Sequence, residues 1–128
     1  TEEGANSLQG AVAQTVRADL TTAEGLTRVL SAVKAACGGE KLFALVNNAG
    51  LCLPGNVEWL PMKAYEASMS LMFHAPVALV YELLPLLKAA KGRVINVTSV
   101  DGFIALPMSA PYVAAKHALE AYSDTLRC

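Results

Sequence analysis

The chain has 128 residues, room for one domain with a sizeable core and no more. Apolar residues make up 54% and aromatics 6%, a balance that suits a buried sheet covered by Ala- and Leu-rich helices. Ten basic and eleven acidic residues are well mixed and leave no basic stripe, which argues against nucleic acid as a partner. The three cysteines, Cys37, Cys52 and Cys128, are odd in number and widely spaced, without a metal-ligand pattern. They read as free thiols of a reducing, intracellular setting whose compartment is open, and no metal is expected. The amino end, Thr-Glu-Glu-Gly, is polar and has no signal-peptide pattern.

In chain order, residues 1–10 are short and polar with Gly4 and Gly10 as breakers, and read as a helix tail or loop. Ala13 to Ala18 reads as a strand ending at Asp19-Leu20. Thr21 with Glu24 three residues on is a capping-box pattern. Leu26, Val29, Leu30 and Val33 then form one apolar helix face, with Gly38 or Gly39 as the stop. Leu42 to Val46 is a continuous apolar strand, followed by Asn47-Asn48-Ala49-Gly50. Pro61 to Ala90 reads as one long helix, Pro61 at its first position and Gly92 at its end. It is apolar nearly all round, so it is buried on two fronts or lies in lipid. His74, Glu82 and two prolines within its most apolar part favour one face on the sheet and one on a partner subunit. His74 and His117 read as solvated or structural histidines.

Val94 to Thr98 is the next apolar run and reads as a buried parallel strand closed by Ser99. After a loop with Gly102 and Pro107, a helix opens near Pro111. Tyr112 and Lys116, four apart, project from one face of that helix. Strand, helix, strand, long helix, strand, helix is a parallel α/β order. Ser99 at a strand's carboxyl end, with Tyr112 and Lys116 on the next helix, lies where such sheets bind ligands.

A phenol titrates near pH ~10 and must come down by roughly 3 units, about 4 kcal/mol, to act as a base at neutral pH. One ammonium about 5 Å away supplies roughly 0.8 kcal/mol in water and about 3.3 at an effective dielectric of about 20. Tyr112 and Lys116 therefore form an acid/base pair only in a dry pocket with a second positive charge, such as an oxidised nicotinamide. Ser99 can hold a substrate oxygen against the phenol. The plainer alternative is a surface Tyr and a surface Lys on an amphipathic helix.

Asn47-Asn48-Ala49-Gly50, then Ser99, then Tyr112-Val-Ala-Ala-Lys116 thirteen residues on, resembles the short-chain dehydrogenase/reductase family. Gly92-Arg-Val-Ile-Asn-Val-Thr-Ser99 and Glu120-Ala-Tyr-Ser-Asp-Thr-Leu-Arg127 resemble its retinol, hydroxysteroid and 3-hydroxybutyrate dehydrogenase branch. The resemblance implies Tyr112 as acid/base and, with Lys116, as a cofactor-binding residue, Lys116 on the nicotinamide ribose and lowering the phenol's pKa, and Ser99 orienting the substrate. It implies that Asp19 accepts from the adenine amino group, with Leu20 beside it, and that Asn48, Ala49 and Gly50 follow the adenosine and ribose. For Asp19 the plain reading is a turn residue; for Asn47 and Asn48 it is tying neighbouring strands, which is compatible with cofactor binding. The implied cofactor is NAD or NADP, the substrate a small apolar alcohol or carbonyl, and the assembly a homo-oligomer through the long helix. Membrane association is expected only through segments outside this chain.

Two departures stand out. The resemblance places an Asn of the proton relay where this chain has Met72, and a thioether cannot replace an amide. Pro76 lacks an N–H, so in a regular helix it leaves the Met72 carbonyl without its donor. The second is that no glycine-rich turn for a pyrophosphate is found; Gly50 and Gly55 have a Walker-like separation, but Asn56-Val57 follows. The resemblance puts that turn upstream of Thr1 and further strands beyond Cys128, so the chain reads as an internal fragment. It is expected to be a single partial Rossmann domain over residues 1–128, with an incomplete parallel sheet flanked by helices. In the implied strand order, two absent strands separate the one ending at Asp19 from the one ending at Val46, a gap of roughly 14 Å. The expectation is an NAD(P)-dependent oxidoreductase. The competing readings are a catalytically silent module that associates through its helices, and a membrane-inserted segment from Ala67 to Leu87.

Overall fold

The structure is a computed structural model that describes Glu3, Ser7, Leu8 and residues 10–127. Most of the segment 1–10, read above as a helix tail or loop, and Cys128 lie outside the described residues. The elements are α1 (Ala23–Ala36), β1 (Ala44–Asn47), α2 (Met62–Met69), a π-helical turn (Ser70–His74), α3 (Ala75–Ala90), β2 (Arg93–Asn96), a 3-10 turn (Val100–Gly102) and α4 (Ala110–Thr125). β1 and β2 pair in parallel, Ala44 opposite Arg93 through Asn47 opposite Asn96. From α1 onward this is the α/β order that the hydrophobic pattern predicts; the strand expected ahead of α1 is the exception.

The strand expected over Ala13 to Ala18 does not form. Residues 14–19 carry no strand assignment, and Val16 is exposed. A strand is held by the backbone N–H and C=O groups of its neighbours, and the sheet among the described residues is β1 with β2.

Helix α1 is capped by Thr22, one residue later than the capping-box pattern suggests. Thr22 Oγ accepts from Gly25 N–H at 3.0 Å and donates to Asp19 O at 3.0 Å, while the Thr21 hydroxyl donates to the Asp19 carboxylate at 2.7 Å. Its end is a Schellman motif: Gly38 N–H reaches Ala35 O at 3.1 Å and Gly39 N–H reaches Lys34 O at 2.9 Å. Both glycines have positive φ, 59° and 73°, which explains the two in succession. α1 lies against α3, where Lys34 and Glu82 form an exposed ion pair at 3.0 Å.

The long helix runs from Met62 to Ala90 with Pro61 as its extended N-cap rather than its first helical residue. By length and composition it could cross a membrane, with a mean hydropathy of 1.5. One side of it packs against the rest of the chain, and 39% of its most apolar stretch is buried. Pro76, Leu79, Val80, Leu83 and Leu87 are buried, whereas Tyr81, Glu82 and Lys88 are exposed. It ends on Lys91, which takes the left-handed conformation (φ 50°) foreseen for Gly92. Gly92 is needed for another reason: a Cβ there would lie 2.6 Å from the carbonyl oxygens of both Leu42 and Phe43. Bonds from Leu42 N–H to Leu86 O (3.1 Å) and Gly92 N–H to Leu87 O (2.8 Å) then fasten the helix end to the strand starts.

The strands are buried on one face only, not two. Leu45, Asn47, Val94 and Asn96 share the side that the helices cover. Val46 and Ile95, paired on the other side, are 56% and 47% exposed.

Candidate active site

The site is built at the carboxyl ends of β1 and β2. The chain leaves β2 through Val97 and Thr98 to Ser99, which caps the 3-10 turn by accepting from Asp101 N–H at 3.2 Å. That acceptance leaves the Ser99 O–H free to donate. The turn packs on α4 so closely that a Cβ on Gly102 would sit 3.3 Å from Lys116 O. α4 itself starts at Ala110 with the buried Pro111 in its first turn.

On α4, Lys116 is only 3% exposed. Its ammonium donates to the Val97 carbonyl at 2.6 Å and lies 5.6 Å from the centroid of the half-buried Tyr112 ring. A surface lysine is thereby excluded. Burial pushes the Lys116 pKa down from the ordinary lysine value. The same carbonyl that ends β2 thus anchors the cation, so strand tip and helix are tied at the proposed reacting centre.

Asn48, Ala49 and Gly50 run from one part of this region to another. Leu20, Asn48 and Ala49 line a small cavity of about 60 Å³ with Leu71, Pro76 and Leu79. Beside Gly50, a Cβ would lie 3.5 Å from Met72 Sδ and 3.9 Å from Lys116 Nζ. Met72 is fully buried in the middle of the π turn, four residues before Pro76. The turn re-pairs around the gap in the helical ladder, with Ala75 N–H bonding Ser70 O five residues back.

Asp19 stands apart from this group. Its carboxylate accepts from the Thr21 hydroxyl at 2.7 Å and Thr21 N–H at 2.9 Å, and both bonds hold its pKa below the usual carboxylate value. It lines a separate cleft of about 260 Å³ with Arg17, Glu24 and Arg28. The structure therefore joins Leu20 to the Asn48–Gly50 run but leaves the Asp19 carboxylate engaged in its own turn. His74 and His117 are exposed, the latter with Nδ1 3.0 Å from Val113 O. Cys37 and Cys52 are free.

Sequence reasoning did not single out Asn96 or Ser123. Asn47 Nδ2 donates to Asn96 Oδ1 at 2.8 Å, which is the strand tie expected of the amide pair at Asn47-Asn48. Asn96 Nδ2 donates in turn to Ser123 Oγ at 2.8 Å. A polar residue inside the run Val94-Ile95-Asn96-Val97 was the available signal, since a half-buried amide needs partners.

The residues present fit a nicotinamide dinucleotide in part. Gly50 leaves the space beside a dry ammonium unfilled, and Leu20, Asn48 and Ala49 border a cavity next to it. No glycine-rich turn for the pyrophosphate is found in the chain.

A family model described as short chain dehydrogenase matches residues 1–128. The bovine (Bos taurus) 17-beta-hydroxysteroid dehydrogenase type 6 is 35% identical over 99% of this chain, and mouse (Mus musculus) retinol dehydrogenase 5 is 38% identical over 99%. In both cases the chain spans 41% of the relative's length. Among solved structures, a short-chain dehydrogenase from Streptomyces avermitilis superposes with a TM-score of 0.85 at 29% identity, covering 95% of this chain and 47% of that one. A Brucella ovis oxidoreductase of the same family, solved with partially ordered NAD, gives 0.79 at 31% identity, covering 87% and 54%. The two-stranded sheet and its helices are thus part of a Rossmann fold, and the chain belongs to the short-chain dehydrogenase/reductase family, whose members are NAD(P)-dependent oxidoreductases.

Proposed function

We propose that this chain carries the catalytic half of an NAD(P)-dependent enzyme that interconverts an apolar alcohol and its carbonyl. The observation that carries the reading is the buried Lys116 ammonium, fixed on Val97 O one helical turn from Tyr112. In oxidation, Tyr112 takes the proton of the substrate hydroxyl as the carbinol hydrogen leaves with its electron pair. Lys116 stabilises the phenolate by its charge. The Ser99 O–H, free because its oxygen accepts from Asp101 N–H, donates to the substrate oxygen. When bound, the nicotinamide supplies the hydride acceptor, and in reduction the donor. Leu20, Asn48, Ala49 and Gly50 would line its adenosine and ribose side, with Lys116 at the nicotinamide ribose.

Substrates of retinoid, steroid or 3-hydroxy acid type fit the branch resemblance. The relatives named for retinol and 17-beta-hydroxysteroid support the first two classes. Titrating the protein with NAD and NADP by fluorescence, then following reduced nicotinamide with one alcohol of each class, tests the reading. Binding of a dinucleotide with turnover of at least one alcohol supports it, and no binding of either dinucleotide overturns it.

A second reading is favoured by the exposed face of α3, where Tyr81 is 79% exposed. Copies of the chain would associate through this face, as a homo-oligomeric enzyme or as a catalytically silent module. Sedimentation of Tyr81→Glu against the unmodified chain separates association from its absence, and the dinucleotide titration separates the two modules.

A further inference from the structure

Lys116 and Ser123 lie seven residues apart on α4, so they project from one face of it. Both reach the end of β2, at consecutive residues. Lys116 Nζ donates to Val97 O at 2.6 Å, and Ser123 Oγ accepts from Asn96 Nδ2 at 2.8 Å while donating to Leu119 O at 2.7 Å. Asn96 Oδ1 accepts from Asn47 Nδ2 at 2.8 Å, and Asn47 O accepts from Val97 N–H at 2.9 Å. Helix and both strands are therefore joined by one run of hydrogen bonds that starts at Leu119 and ends beside the ammonium.

We propose that Ser123 is a positioning residue of the active site, which through Asn96 sets the seat of α4 on the strand ends and so keeps Lys116 on the Val97 carbonyl and out of water. The proposal deepens the enzyme reading, since it concerns the cation assigned there to the phenol and the ribose. Ser123 suits the role because its single hydroxyl is used twice. It satisfies its own helix at Leu119 O and takes the Asn96 amide hydrogen. Removing it leaves the half-buried Asn96 amide short of an acceptor. That amide must then turn toward water, and Asn47 loses the oxygen it donates to. With that hydrogen bond gone, the lysine bond is the one described side-chain hydrogen bond left between α4 and the end of β2, and water gains access to the ammonium.

The titratable groups on α4 and on the elements packed against it are Tyr112, His117, Glu120, Tyr122 and Asp124 on α4, Asp101 on the 3-10 turn, Lys63, Tyr65 and Glu66 on α2, His74 on the π turn and Arg93 on β2. Burial, rather than any of these charges, is what lowers the Lys116 pKa. Its titration is therefore a gauge of how dry the seat is.

The test compares Ser123→Ala and Ser123→Thr with the unmodified chain. Lys116 is titrated by NMR of isotope-labelled lysine, assigned by Lys116→Met, and its acylation by a water-soluble reagent is timed. In Ser123→Ala, the Lys116 titration moves up toward that of exposed lysines and acylation quickens by roughly 10-fold or more. Ser123→Thr, which keeps the hydroxyl, restores both. A folded Ser123→Ala chain with unchanged titration and acylation overturns the proposal, as does a folded Ser123→Thr chain that behaves like Ala. Should Ser123→Ala not fold, Ser123→Cys keeps the volume with only a weak hydrogen-bonding group, and the same two outcomes decide. Neither readout needs turnover, so an unmodified chain that turns over no alcohol sinks the enzyme reading and leaves the seat of Lys116 to be judged separately. Where turnover is present, Ser123→Ala lowers kcat by roughly 10- to 100-fold.

Discussion

Met72 and Gly50 meet beside the buried Lys116. A Cβ on Gly50 would touch Met72 Sδ at 3.5 Å and Lys116 Nζ at 3.9 Å, so a buried thioether stands where the family resemblance expects a relay amide. Two substitutions separate packing from chemistry here. Met72→Leu conserves volume and is expected to cost less than about 1.5 kcal/mol in urea unfolding. Met72→Asn places an amide in a fully buried site and is expected to cost about 2–4 kcal/mol, while raising proton-coupled turnover if the relay is weakened by the thioether. An Asn variant with the stability of the unmodified chain and no change in rate removes Met72 as a defect.

The lysine itself makes a signed prediction about pH. Its folded pKa is lowered by burial, so near neutral pH the native state holds a poorly solvated cation. As pH rises through the folded pKa, the native lysine loses its proton before the unfolded one does. Its unfavourable contribution is then progressively relieved up to the ordinary lysine value of 10.5. The stability of the unmodified chain relative to Lys116→Met should therefore rise with pH across that window and be level below it. A difference that is flat throughout, or that falls, contradicts the dry seat.

Gly92 is a close-approach glycine at the junction of the long helix and the sheet. Two backbone oxygens, of Leu42 and Phe43, stand 2.6 Å from the place a Cβ would take, and neither is the end of a flexible side chain. Gly92→Ala should therefore push β2 from the start of β1 and cost about 2–4 kcal/mol, beyond any gain from fewer unfolded conformations. Gly38→Ala is the contrast. No atom lies within 4 Å there, and only its φ of 59° is strained, so a cost of about 1 kcal/mol is expected. Equal losses in denaturant unfolding would show that contact is not the reason for Gly92.

Much of this arrangement is legible in residues a few positions apart. The spacing of Leu26, Val29, Leu30 and Val33 marks α1, and Tyr112 with Lys116 marks the face of α4 that meets the strand end. What is not legible depends on partners far along the chain. Ala13 to Ala18 has strand-like composition, but a strand needs neighbours, which the described residues do not provide. The cap falls on Thr22 rather than Thr21, within a turn where both hydroxyls donate to Asp19, and adjacent threonines give no local pattern that tells them apart. The π turn at Ser70–His74 is foreshadowed only by Pro76, whose missing N–H says that the ladder must change but not how. Asn96 and Ser123, twenty-seven residues apart, have no local pattern that links them.

The central proposal is that the Tyr112 hydroxyl transfers the proton, while most of the dinucleotide's hold comes from the other residues of the site. Tyr112→Phe, assayed by fluorescence titration with NAD and NADP and by reduced nicotinamide formed with a retinoid, steroid or 3-hydroxy acid alcohol, tests this most directly. Dinucleotide affinity within about 3-fold of the unmodified chain, with kcat lower by about 1,000-fold or more, is the expected result. A Phe variant that still turns over alcohol at a comparable rate would show that the phenol 5.6 Å from this ammonium has no part in the reaction.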